Sequence, residues 1–163
     1  MPTITPSHRG LVLGALVLLC AVANARCDDD CEDPAYLIAG SWASAFHCSS
    51  TGAGGCFTGT DAITVIQASE GGAPAREVTF TDDMGGSFSG TLCGNVLSWS
   101  GGGTGYTEAG TWVFDSADHF VKATAYDDTA NATRGCCTGE GTRQGATAPV
   151  VPAMCPTTSC EAP

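Results

Sequence analysis

Short runs in which apolar and polar residues alternate recur along the chain between clusters of glycine and aspartate, and no run keeps helical spacing long enough to hold a helix. The runs are SWASAFHC (41–48), AITVIQAS (62–69), AREVTFTD (75–82), SFSGTLC (87–93), NVLSWSG (95–101), YTEAGTWVFD (106–115), HFVKATAYD (119–127) and a weaker one around CCTGEGTR (136–143). Between them stand EGGAP, DDMGG, Gly94-Asn95, GGGTG and DSAD, residue types that close tight turns. Strands joined by such short connections are antiparallel neighbours. The pattern predicts an all-β fold: an eight-stranded antiparallel up-and-down barrel, in which closure removes the unpaired edges and leaves room inside for side chains or one small ligand. Alternation is equally compatible with a two-sheet sandwich, the alternative. Val78 and Phe80 share one face, as do Leu97 and Trp99, and Tyr106, Trp112 and Phe114.

Both flanks differ from this pattern. Residues 1–25 join His8 and Arg9 to the apolar run LVLGALVLLCAVA and then Ala23-Asn24-Ala25, the three parts of a signal peptide, which predicts a secreted or periplasmic protein. A lipid anchor through Cys20 is the alternative, although the bulky Leu19 precedes it where such signals hold a small residue. The apolar run falls short of the roughly 20 residues of a membrane span. Residues 26–37 form an acidic, disordered lead-in, 38–145 the barrel domain, and 146–163 an extended tail rich in proline, alanine and threonine.

Charge and cysteine content narrow the partners. A net charge of −11, more negative still once Arg9 leaves with the leader, repels nucleic acid and anionic membranes. The remaining partner classes are a small molecule or an extracellular protein. Large aromatics are sparse among 22 glycines, so the core is modest and disulfides are expected to supplement it. After the leader the cysteines are Cys27, Cys31, Cys48, Cys56, Cys93, Cys136, Cys137, Cys155 and Cys160. Cys136 and Cys137 are neighbours in a strand and point to opposite faces, so each should seek its own partner, with Cys93 expected for one of them. Cys48 and Cys56 are close enough in sequence to staple the first connection. The odd total leaves one thiol over, expected among Cys27, Cys31, Cys155 and Cys160.

The stretch AGSWASAF, with Gly40 and Trp42 ahead of a β-meander, resembles the first strand of lipocalin-like (calycin) barrels. By that resemblance Trp42 packs at the closed end of the barrel against an arginine of the last strand, which points to Arg143, with Arg134 as second choice. A guanidinium over an indole is attractive in its own right, and its donors can satisfy carbonyls where the barrel ends. The chain is shorter than typical lipocalins, shows no helix after the last strand and has many more cysteines; the missing helix makes it look more like the avidin type of barrel.

No reaction chemistry stands out, and a catalytic role is not expected. His8 leaves with the leader, so His47 and His119 would have to supply any histidine chemistry, and GSFSG places Phe88 where a nucleophile turn needs serine. GGGTG and GEGTRQG read as turn glycines rather than nucleotide loops. CDDDCED lacks the glycine and ligand spacing of a Ca²⁺ loop, and an oxidising compartment turns Cys27, Cys31, Cys155 and Cys160 toward disulfides rather than zinc. No metal or cofactor is expected. Asn131-Ala132-Thr133 is a glycosylation sequon. The function predicted is a secreted, non-enzymatic binding module whose ligand, such as a small apolar molecule, enters the open mouth of the barrel. The alternative is a protein-interaction or inhibitor protein acting through loops such as SSTGAGG (49–55) and GGGTG (101–105).

Overall fold

Period-two alternation leaves each strand with one face that must leave water, and in this chain the sheet solves that by closing on itself. The computed structural model describes residues 31–51 and 55–156. The chain divides into Met1–Cys31 and Glu32–Pro163, and the barrel lies within the second unit. Its strands are β1 (Gly40–Ser49), β2 (Cys56–Glu70), β3 (Ala73–Asp82), β4 (Ser87–Cys93), β5 (Val96–Gly103), β6 (Tyr106–Ser116), β7 (His119–Asp128) and β8 (Thr133–Arg143). They form a closed antiparallel barrel in sequence order, with β1 completing the circle against β8. The sandwich alternative is thereby excluded. The signal peptide expected at 1–25, with Cys20, lies outside the described residues.

Most strands extend beyond the sequence pattern by a residue or more, and β2 by the most. β2 begins at Cys56 because Phe57–Asp61 pair with Cys48–Ser44, although that stretch shows little apolar alternation. β5 takes in Gly101–Gly103, expected as a turn, and the connection to β6 shrinks to Thr104-Gly105. β8 is poor in side chains because its neighbours supply the volume. A Cβ on Gly141 would lie 2.1 Å from the Phe120 ring, so glycine there is the space into which that ring packs.

Inside, apolar side chains fill the end of the barrel opposite the β1–β2 connection. Val78, Leu92, Leu97, Trp112, Phe114 and Phe120 are all essentially inaccessible. Trp112 stacks on Phe120 at 4.3 Å between centroids, and Phe80 on Phe88 at 4.8 Å, geometries that add to simple area burial. Outward positions on the middle strands, Glu77, Thr79, Thr81, Ser87, Ser89, Thr91, Ser98 and Ser100, are exposed and polar, the reverse of a lipid-facing band. Among the described residues no helix is long and apolar enough to cross a membrane.

The filled end is sealed by residues preceding β1. Ile38 is fully buried, its N–H donates to Gln67 Oε1 at 2.7 Å, and its carbonyl accepts from Trp42 Nε1 at 3.0 Å. Arg143 completes the seal. Its guanidinium lies 4.8 Å from the Trp42 ring and donates to the carbonyls of Leu37, Ala39 and Ala117 and to Asp118 Oδ1. Gly40 has φ +136° and a Cβ there would sit 2.8 Å from an Arg143 nitrogen, so both the backbone turn and the arginine require glycine. The lead-in from Glu32 is thus extended and yet tied down, with Ala35 N–H bonded to Gly94 O and Gly94 N–H to Glu32 O. Arg134, the second choice, is paired with Asp127 in register at the other end of β8, away from Trp42.

The cysteine pairing departs from expectation. Cys48 bonds Cys137, and Cys56 bonds Cys155. A Cys48–Cys56 staple does not form because Cys56 stands opposite Ser49 in the register, which puts it and Cys48 on opposite faces of the sheet. Cys136 and Cys137 do not bond each other, as strand geometry requires. Cys137 is taken by Cys48, so Cys93 does not partner it; Cys31, Cys93 and Cys136 are also disulfide-bonded. Cys155 and Cys31 are therefore not the leftover thiol; Cys27 and Cys160 lie outside the described residues. Residues 146–156 have neither helix nor strand and are held along β1 and β8, with Val150 N–H on Glu140 and Pro152 O on His47 Nδ1.

Two measurements probe this frame. Replacing both Cys48 and Cys137 by alanine should cost up to about 4.6 kcal/mol of stability from the loop-closure argument for partners 89 residues apart, read as a lower urea midpoint. Arg143→Lys keeps the charge and loses the planar fork; a loss of about 2 kcal/mol is expected, and an unchanged midpoint would show that the seal does not depend on it.

Candidate functional site

At the end opposite the Arg143 seal the barrel is open. The connections β1–β2, β3–β4, β5–β6 and β7–β8 ring this mouth, and a cavity of about 410 Å³ opens between them. Its walls carry Phe46, Phe57, Tyr106 and Tyr126, with Met84, Ala130 and Asn131 at the rim and the Cys48 and Cys137 side chains in the wall above Phe46. Phe57 meets Phe46 at 6.5 Å and Tyr126 at 6.1 Å, both edge to face, making a continuous arc of rings. Gly59 is the space beneath Phe46, since a Cβ there would fall 2.4 Å from its ring.

The floor is charged. Strand phase explains it: Asp61 lies two residues before Ile63, Asp82 two after Phe80, Glu108 two after Tyr106 and Lys122 two after Phe120, so all four point inward with the core. Lys122 Nζ reaches Asp61 Oδ2 at 3.2 Å and lies 4.5 Å over the Phe46 ring. With side chains only 6% and 13% exposed, this is an ion pair taken out of water. Asp82 is held by the N–H groups of Met84 and Gly86 on one oxygen and by the Tyr106 hydroxyl, at 3.0 Å, on the other.

One lysine does not balance these carboxylates. Burial, reinforced by Asp82 and Asp83, holds Asp61 above its ordinary value against the pull of Lys122. Burial likewise pushes Glu108 up, with Asp61 and Asp82 adding to it and Lys122 opposing. Tyr106 is raised well above the usual phenol range by burial and by its bond to Asp82. Asp128 at the rim goes the other way, lowered by hydrogen bonds from Asn131. Beneath the floor a void of about 20 Å³ is lined by Asp61, Asp82, Glu108, Lys122, Trp99 and Trp112. The indole N–H groups of Trp99 and Trp112, which line this void, are buried and have no hydrogen-bond partner among the described residues, while Thr124 hydrogen-bonds the Glu108 carboxylate and opposes its upward shift.

The positions singled out in the sequence fall mostly elsewhere. Gly40, Trp42 and Arg143 form the closed end, Cys56 stands apart from the lining with its bond to Cys155, and Cys48–Cys137 alone borders the cavity. His119 Nδ1 is 2.8 Å from Asp115 and its Nε2 3.6 Å from Glu140, while His47 Nδ1 is bound to Pro152 O. His47, Cys56 and Cys155 come within 4.8 Å of one another, but both sulfurs are spent in their bond and offer no thiolate to a metal. Of the two interaction loops, 101–103 is strand, and 52–54 lie outside the described residues. Asp61, Asp82, Glu108 and Lys122 were not anticipated. Their signal was present in the alternation, as charges in phase with an apolar face.

Comparison with known proteins adds little at this level. A scan against protein-family models finds no match, and a search of curated proteins finds none either. Among solved structures the chain is similar to an S-type phycobiliprotein lyase from Guillardia theta, at 9% identity over 67% of this chain and 89% of that one, with a TM-score of 0.41. A structural-genomics protein of unknown function from Bacteroides ovatus is 8% identical over 71% of this chain and 45% of its own, with a TM-score of 0.43. The vaccine antigen transferrin binding protein B from Haemophilus parasuis is 8% identical over 71% and 29%, with a TM-score of 0.39. Likenesses this distant say nothing about a ligand.

The raised carboxylates make stability depend on pH with a definite sign. A carboxyl whose folded value lies above its unfolded value favours the folded state below the ordinary carboxylate range, and that contribution is lost as pH rises through the folded value. Glu108→Gln should therefore raise the melting temperature by a few degrees at pH 7 and have little effect near pH 4, measured by thermal unfolding at both pH values.

Proposed function

We propose that the protein is an exported, non-enzymatic binding module that takes one small molecule into the mouth of its barrel, and that its closed end marks kinship with lipocalin-like barrels. The observation that carries the binding reading is the cavity itself. It is about 410 Å³, within the size range of small-molecule sites, open at one end and floored by packed aromatic and charged side chains. Disulfides at Cys48–Cys137 and Cys56–Cys155 form and persist in an oxidising compartment, which supports export. The inward arrangement of Gly40, Trp42 and Arg143 supports the kinship.

The small apolar ligand that the sequence suggests fits the walls and not the floor, where it would lie against the Asp82 and Glu108 carboxyls without offering either a partner. An amphipathic molecule fits both. Native mass spectrometry of protein isolated from its own host should show a single adduct of small-molecule mass. Ala130→Trp, a change at the exposed rim, should abolish that adduct while leaving the melting temperature within a degree or two; bare protein from its own host would sink the reading.

A further inference from the structure

We propose that the molecule taken into this mouth is an organic cation, an amine protonated at neutral pH and carried on an aromatic or apolar body; this rests on the binding reading above. The lining of the cavity contains four carboxylates, Asp61, Asp82, Glu108 and Asp128, and, among the described residues, a single cation, Lys122. That cation is already committed, with its ammonium on Asp61 and over the Phe46 ring. An anion entering the mouth meets carboxylates on β2, β3, β6 and β7 at close range in a partly dehydrated space, where like charges repel far more strongly than in water. A neutral apolar body dehydrates the same groups and gives nothing back. A positive headgroup supplies the missing charge.

The walls favour the same choice. Phe46, Phe57, Tyr106 and Tyr126 present π faces and edges around the space above the floor, and the negative face of an aromatic ring attracts a partly desolvated cation. Phe46 already holds the Lys122 ammonium in this way, which shows that the cavity accommodates such a contact. At long range the chain's net charge of −11 draws cations toward it.

Protonation should track binding. Glu108 faces Asp61, Asp82 and Lys122 across the floor, with Tyr106 beside it and Asp128 above, and without a ligand its carboxyl is held above the ordinary value. A bound ammonium favours the ionised form, so the amine binds more tightly as pH rises and displaces a proton where Glu108 is still protonated.

Three probes that differ only in charge test this: 1-naphthylmethylamine, 1-methylnaphthalene and 1-naphthylacetate, titrated into the intact disulfide-bonded protein by calorimetry. The amine is expected to bind at least tenfold more tightly than the neutral hydrocarbon at pH 7, with the acid weakest. Its affinity should fall severalfold between pH 7 and pH 4.5 while that of the hydrocarbon stays level. Glu108→Gln, with folding checked by its melt, should weaken the amine about tenfold and spare the hydrocarbon. Equal binding of amine and hydrocarbon, or a preference for the acid, overturns the inference and leaves the binding module standing. Binding of none of the three at this mouth overturns the inference, and the host-derived adduct then decides the broader reading separately.

Discussion

The seam between the first and last strands holds everything else in place. β1 and β8 pair from Trp42 opposite Arg143 to Cys48 opposite Cys137, so the two ends of the seam are fastened by different chemistry. At one end a guanidinium lies over an indole and gathers carbonyls from the lead-in and from the β6–β7 turn; at the other a covalent bond joins the strands. Without the seam the sheet has two open edges, the aromatic stacks lose one wall, and neither a sealed end nor a mouth exists.

The same seam explains why the interior is divided as it is. The arginine end is packed with buried Ile38, Trp42, Leu92, Leu97 and Phe114, and the Arg143 guanidinium keeps contact with solvent at its edge. The disulfide end opens to the cavity, and the charged layer of Asp61, Asp82, Glu108 and Lys122 marks the boundary between the two. A buried layer of mismatched charge is costly to a fold, and one lysine against three floor carboxylates leaves that cost unresolved within the chain itself. That is the layer on which the proposed binding reading rests.

Much of the fold was legible because its signals are local. Alternation marks Val78 with Phe80 and Leu97 with Trp99, turn glycines separate the strands, and strand order alone brings β8 to β1, which is enough to place Arg143 near Trp42. β8 read weakly because two of its inward positions are glycines, Gly139 against the β1 backbone and Gly141 against the Phe120 ring, a property of neighbouring strands. Disulfide partners were illegible for a related reason: the register of β1 on β2 sets Ser49, and not Cys48, against Cys56, and no count of intervening residues reveals that. The charged floor could have been found. Lys122 and Glu108 stand in phase with Phe120 and Trp112, and a charge in the apolar phase of a closed barrel has only the cavity to face.

A seam of this kind also governs the time at which the protein comes into being. Trp42 and Arg143 lie at opposite ends of the strand sequence, and no partial barrel supplies the contacts that either needs. Nascent β1 therefore waits with a bare edge through the synthesis of six further strands, and the slow search for its distant partner comes after the final strand has emerged. Closure is the last event rather than the first, and for this chain the interval before it is the period of greatest exposure to mispairing with other polypeptides and of premature thiol oxidation.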